Sequence, residues 1–194
     1  MFIELTDHLR CPVDHEEQFL VLLPDRMEGR SVRTGQLGCP VCRRSFTLDD
    51  GVLDVGGAPT GGAATALDAE SLSTLVGLSG PGGYLVLVGS PAALWREVAH
   101  HNPGVALVAV NPPAEVADQE LLSVVRGGRL PLKSHSMRGV VLGRSFATDP
   151  AWVEEAARVL LPGLRLVGES ADPAPQSIDL MASAGGVWVG TRRR

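Results

Sequence analysis

The rhythm of apolar and polar positions changes near residue 57. Before it, apolar stretches are short: residues 19–23 form one compact run, Val32 and Thr34 alternate with Ser31 and Arg33, and Ser45-Phe46-Thr47-Leu48 precedes the turn Asp49-Asp50-Gly51. This predicts the strands of a small β-ribbon. After it come continuous apolar runs at Tyr84-Leu85-Val86-Leu87-Val88, residues 105–110, 137–142 and 164–167, the type buried on both faces of a parallel sheet. Two helices are predicted between them. Residues 91–101 place Leu94, Trp95 and Val98 on one face, and residues 149–161 combine a capping Asp149, Pro150 in the first turn, a stripe of Trp152, Val153, Ala156, Ala157 and Leu160, and a stop at Pro162-Gly163. Residues 177–191, folded about Gly185-Gly186, read as a terminal hairpin. Alternating strands and helices make the second half a doubly wound α/β layer.

Between the two patterns, residues 56–63 are rich in glycine and lack periodicity, which marks a linker. The expected division is therefore a ribbon over 1–57, a Gly-rich linker over 58–69 and an α/β domain over 70–194. With 44% apolar residues among 194 and a mean hydropathy of +0.13, the chain has enough apolar surface for a real core. A net charge of -5 argues against general nucleic-acid binding, which needs clustered cations. Arg43-Arg44 and Arg192-Arg193-Arg194 read as solvated charge. No apolar run approaches the roughly 20 residues of a membrane span, and MFIELTDHLR lacks the basic-then-apolar order of a signal peptide, so a cytoplasmic protein is expected.

Chemistry enters with the cysteines. All three fall in Cys11-Pro12-Val13-Asp14-His15 and Cys39-Pro40-Val41-Cys42, two knuckles that together offer Cys11, His15, Cys39 and Cys42 to one tetrahedral zinc ion. The first knuckle has three residues between its ligands where two are commoner, and Asp14 competes with His15 for the fourth position. Reduced thiols without metal, or one disulfide and a spare thiol, are the other readings. An odd cysteine count weighs against a disulfide framework. Strands this few cannot build a core alone, so the metal is expected to supply the missing stability.

The stretch LRCPVDHEEQFLVL with GRSVRTGQLGCPVCRRSFTLDDGVLDV resembles the short zinc-ribbon proteins that activate methyltransferases, most specifically from Cys39 to Val52. That resemblance implies a zinc-stabilised adaptor whose exposed strand or apolar face docks on a methyltransferase domain. Residues 70–191, above all Arg158-Val159-Leu160-Leu161-Pro162-Gly163, resemble a shortened seven-stranded S-adenosylmethionine-dependent methyltransferase domain of Rossmann-like type. Members of that family end their first strand in an acidic residue and a G-x-G-x-G loop, which lets backbone approach the cofactor closely. Here the stretch is Val88-Gly89-Ser90-Pro91-Ala92. A carboxylate on the second strand normally holds the ribose, and Asn111-Pro112-Pro113 stands there instead. Gly127-Gly128-Arg129 replaces the acidic loop, and Arg138 takes the place of a later aspartate. Gly89 and Asn111 are thus the cofactor-binding positions that remain, and tight S-adenosylmethionine binding is not expected. Ser90 lacks the following glycine of a nucleophile elbow. His100-His101 reads as favourable charge at a helix end. The expectation is a zinc-binding, noncatalytic regulatory or adaptor subunit with a protein partner, of which a methyltransferase is the natural candidate and no membrane is one. An active methyltransferase with an atypical pocket is the alternative.

Overall fold

A computed structural model describes residues 1–57, 64–171 and 177–193. The ribbon contributes β1 (Val21–Glu28), β2 (Ser31–Gly38), β3 (Ser45–Asp49) and β4 (Val52–Asp54), an antiparallel meander preceded by a 3-10 segment over Ile3–His8. Helix α1 (Ala69–Val76) follows, then β5 (Tyr84–Val88), α2 (Trp95–His101), β6 (Ala106–Val110), β7 (Leu122–Arg126), β8 (Met137–Leu142), α3 (Arg144–Ala147), α4 (Pro150–Val159), β9 (Leu160–Gly168), β10 (Ile178–Ala184) and β11 (Val187–Arg192).

All eleven strands belong to one sheet, in the order β1-β2-β3-β4-β7-β6-β5-β8-β9-β11-β10. Strands β4 to β9 along that order are mutually parallel, and β11 enters antiparallel beside β9. The ribbon joins the α/β layer through β4, whose Val52, Leu53 and Asp54 pair with Val124, Val125 and Arg126 of β7. The adaptor strand expected to be exposed is therefore engaged within the chain.

Alternation along the strands sorts side chains onto two faces. Val86, Val88, Val108, Val110, Val140 and Leu142 share one core with Val153, Ala156 and Ala157 of α4 and with Leu5, Leu9, Leu37, Leu53, Cys11 and Cys39 of the ribbon. Leu85, Leu87, Leu107, Ala109 and Val141 share the other with Leu72 and Val76 of α1 and Val98 of α2. No helix connects β6 to β7 or β7 to β8 among the described residues. On that part of the sheet the 3-10 segment takes a helix's place: Leu5 and Leu9 are fully buried, and His8 meets Tyr84 of β5 edge-on at 5.0 Å.

A second seam reinforces the first. Leu9 bridges Leu132, the Arg10 amide donates to the Pro131 carbonyl (3.0 Å), and the Lys133 amide donates to the His8 carbonyl (2.7 Å). Ion pairs Arg10–Glu155 (3.3 Å) and Arg158–Glu17 (3.6 Å) cross it with their side chains one-third exposed or less.

The expected strands over 137–142 and 84–88 and the terminal hairpin are present. Three local readings are corrected. Helix α4 stops at Val159, because Leu160 turns to extended backbone and pairs with Met137. The Pro162-Gly163 turn is then an irregularity inside β9, where the register with β8 shifts between Met137 and Gly139. The helix expected over 91–101 is split, with a 3-10 turn over Ser90–Leu94 before α2. Of the predicted linker, residues 58–63 lie outside the described residues, whereas Thr65 and Ala66 are held by hydrogen bonds to the buried Glu169 carboxylate.

Because Leu53 is fully buried on the strand that joins the two halves, Leu53→Ala is expected to cost about 2–5 kcal/mol. Urea unfolding followed by far-ultraviolet circular dichroism and by tryptophan fluorescence will measure it, and a change under 1 kcal/mol, about the size of a surface substitution, contradicts the seam.

Candidate functional site

The first knuckle leaves the 3-10 segment at Cys11, whose amide donates to the Gln18 carbonyl at 2.8 Å and closes the loop. The second lies between β2 and β3, closed by the Cys39 amide to the Arg44 carbonyl (2.8 Å) and the Arg43 amide to the Cys39 carbonyl (3.0 Å). Arg43 takes a left-handed φ of 60° to complete that turn. Pairing of β2 with β3 sets one knuckle, and the 8–10 seam sets the other against it.

The structure brings Cys11, His15, Cys39 and Cys42 together, their ligand atoms all within 4.8 Å of one another. Cys11 Sγ stands 3.7 Å from Cys42 Sγ, and Cys39 Sγ 3.4 Å from His15 Nε2. Tetrahedral zinc with bonds of about 2.3 Å to sulfur and about 2.0 Å to nitrogen requires edges of about 3.7 and about 3.5 Å. The donor set fits the ion. His15 Nδ1 lies 2.6 Å from the Glu16 carbonyl, so it holds the proton and leaves Nε2 free to coordinate, the usual outer-shell device for a metal-binding imidazole. Asp14 is exposed and is not part of the cluster.

Without metal the four groups are unequal. Burial pushes the Cys11 thiol up to about 12. The Arg44 backbone amide, then neighbouring thiols and His15, draws Cys42 down to about 7. The hydrogen bond to the Glu16 carbonyl raises His15 above its ordinary value. The Cys42 thiol is thus held nearer to ionisation than the buried Cys11 thiol.

A second crevice lies between β5 and β8, where the strand order reverses, the position at which open α/β sheets bind their ligands. Gly89 ends β5 with φ 75° and ψ -137°, a conformation reserved for glycine. Ser90, Pro91 and Ala92 after it are all buried. They turn against Gly143 at the end of β8, where an added Cβ would meet Pro91 Cδ and Ser90 Oγ at 2.8 Å. Asn111, also at a left-handed φ (47°), lies at the end of β6 and is 3% exposed. Its Nδ2 donates to the Gly127 carbonyl (2.7 Å) and its Oδ1 accepts from the Gly127 amide (2.9 Å), tying the ends of β6 and β7. Arg138 sits at the opposite end of the sheet, where its guanidinium donates to the carbonyls of Ser79, Gly80, Pro81 and Gly82. The sequence signal for this clamp is limited to the glycine cluster Gly80, Gly82 and Gly83, all of which take positive φ in the turn that Arg138 caps.

No protein-family model matches the chain, and no curated protein matches it. Solved structures do. A Corynebacterium glutamicum protein superposes with a TM-score of 0.51 at 16% identity, covering 68% of this chain and 82% of that one. An S-adenosylmethionine-dependent methyltransferase from Aquifex aeolicus gives 0.45 at 15% identity over 63% and 87% of the two chains. The complex of the Haloferax volcanii Trm112 methyltransferase activator with a methyltransferase gives 0.43 at 20% identity over 52% and 50%. This chain spans half of that Haloferax chain, and 42% and 41% of two geranyl diphosphate methyltransferase structures. At these identities the likeness concerns the fold alone, a mixed α/β layer built on a large parallel sheet of Rossmann-like type. Among the described residues no helix is long and apolar enough to cross a membrane.

Elemental analysis of protein purified without chelator is expected to give one zinc per chain. Cys39→Ser and Cys42→Ser should lose it, His15→Ala should hold it weakly, and Asp14→Ala should keep it. Retention by His15→Ala with loss in Asp14→Ala would reassign the fourth ligand. Because coordination displaces protons from Cys11 and His15, metal uptake releases acid and affinity falls as pH falls through neutrality, which competition with a chelating dye across pH 6–8, the range about His and low-pKa thiol titration, will read.

Proposed function

We propose that the chain is a zinc-stabilised, noncatalytic methyltransferase-like protein that acts as a regulatory or adaptor subunit, with its ribbon docked in cis on its own α/β layer. The observation that carries this reading is the state of the switch-point crevice. Ser90 and Pro91 fill the space against Gly143, and the Asn111 amide is spent on Gly127. A ribose there would have to compete with a buried pair of hydrogen bonds, and leaving either partner unsatisfied costs about 1–3 kcal/mol. The four-residue cluster supports zinc as a structural ion, since all its positions are taken by protein donors and no open site remains for substrate. Zinc would hold the two knuckles together and carry no step of a reaction. The division into a ribbon over 1–57, a linker over 58–69 and an α/β unit over 70–194 is part of the same proposal, as is the assignment of Cys11, His15, Cys39 and Cys42 to the metal.

In this reading a protein partner does not reach β4, which is engaged. The strands that end the sheet are β1 and β10. Strand β1 carries Pro24, Arg26 and Glu28 with two register irregularities, features that blunt an edge. Both edges expose apolar side chains, Val21, Leu23 and Met27 on β1 and Leu180 and Met181 on β10, and β10 is free of proline, which leaves it the platform we favour for a partner such as a methyltransferase. The active-enzyme alternative rests on the fold, which accommodates both activities.

Calorimetric titration of the zinc-loaded protein with S-adenosylmethionine decides between the two. Binding no tighter than about 1 mM, roughly -4 kcal/mol, is expected. A micromolar dissociation constant would overturn the noncatalytic reading and establish the enzyme.

A further inference from the structure

Outside the metal cluster and the crevice, the unassigned chemistry concentrates where the ribbon meets the α/β layer. A cleft of about 450 Å³ opens there. One wall is ribbon, with Val13 and Asp14 of the first knuckle, Arg44 after the second, and Phe46 of β3; the other holds Val55 and Gly56 after β4, and Gly128 and Arg129 after β7. A neighbouring cleft of about 420 Å³, reaching Trp152, meets it at Gly128 and Arg129. Neither half of the chain contains this cleft alone.

Its charges are out of balance. Arg10, Arg33 and Arg158, the partly buried arginines between the ribbon and the α/β layer, are each matched by carboxylates. Arg44 and Arg129 make no ion pair among the described residues, and the Arg129 contact is a long 3.4 Å hydrogen bond to the Pro12 carbonyl. Asp14 is the one acid on the walls. The cleft also lies just past the carboxyl ends of two parallel strands, β4 and β7, the side on which such sheets take ligands. Glycines form its floor. The backbones after β4 and β7 approach so closely that a Cβ on Gly57 would fall 2.0 Å from the Gly127 amide nitrogen, which keeps that floor free of side chains.

We propose that this cleft binds a small organic phosphomonoester. Two guanidinia on the cleft walls with a single acid between them favour a dianion: one carboxylate can serve two guanidinia, as Glu155 serves Arg10 and Arg158, but it brings only one negative charge. A phosphomonoester presents three oxygens and a charge of about -1.5 to -2 at neutral pH. Val13, Phe46 and Val55 receive its apolar or aromatic portion. The volume suits a small ligand, and the overall charge of -5 opposes an extended polyanion. The proposal gives Arg44, earlier read as solvated charge, a partner, and it stands whether or not S-adenosylmethionine binds elsewhere.

The test uses zinc-loaded full-length protein at low salt, titrated calorimetrically with phenyl phosphate, inorganic phosphate and benzoate. Phenyl phosphate is expected to bind most tightly and benzoate weakest. Arg44→Gln and Arg129→Gln, both exposed positions whose folding circular dichroism will check, should each weaken phenyl phosphate about tenfold, the equivalent of one charge-assisted hydrogen bond. Arg26→Gln, on the far edge strand β1, should leave it unchanged. Absence of binding up to about 10 mM, where affinity would fall below roughly -3 kcal/mol, overturns the proposal. So does equal weakening by Arg26→Gln, which would mark a diffuse charge effect, or benzoate binding as tightly as phenyl phosphate.

Discussion

Three residues of parallel pairing, Val52-Leu53-Asp54 against Val124-Val125-Arg126, hold the architecture together. They turn a ribbon too small to fold on its own surface and a sheet with an open flank into one sheet with one shared core. Each half removes the other's liability. The ribbon gains the apolar partners that three short antiparallel pairings cannot supply, and β7 loses the unpaired edge that invites association with other chains. The thiols of Cys11 and Cys39 then sit in the same apolar cluster as Val86, Val108 and Val140 of the α/β layer. The proposed metal site and the core would thereby support one another: an ion would fix the knuckles, and the core fixes the segment from which the first knuckle springs.

The same pairing brings the ribbon's leading segment onto a part of the sheet that no crossover helix covers among the described residues. A doubly wound layer normally covers each face with crossover helices, and here the stretches from β6 to β7 and from β7 to β8 carry none among the described residues. The ribbon's leading segment covers that part of the sheet with Leu5, Leu9 and the ring of His8. Burial without a hydrogen-bond partner on Nδ1 lowers the His8 pKa, so the imidazole is kept neutral against Tyr84. Residues that precede the α/β unit in sequence thus cover a face that a crossover helix would otherwise occupy.

Local chemistry was legible and long-range pairing was not. The four cysteine and histidine positions could be read because knuckle spacing is a short-range signal, and the runs at 84–88 and 137–142 because central parallel strands are apolar on both faces. Strand β7, Leu122-Ser123-Val124-Val125-Arg126, escaped notice because Ser123 and Arg126 interrupt its run; Ser123 is buried all the same, its hydroxyl accepting from the Phe2 amide at 3.0 Å. Helix α1 was missed although Asp68 caps it through the Ser71 amide and Gly77 closes it in a left-handed turn, since eight residues give few periods to count. Leu160 continues the helical stripe in sequence, yet the ladder with β8 claims it. Asn111 looked like a weakened ribose anchor, while its place at a left-handed φ between two strand ends makes it a backbone staple.

The β4–β7 seam also sets the order of events along a growing chain. Two helices and two strands, α1, β5, α2 and β6, lie between the residues it joins, so the loop must close before the pairing returns any energy. During synthesis the ribbon emerges first and stays undocked until β7 has left the ribosome. Over that interval β4 is kept in register by its pairing with β3, and a metal at the proposed site would pin the two knuckles while the partner strand is still to be made.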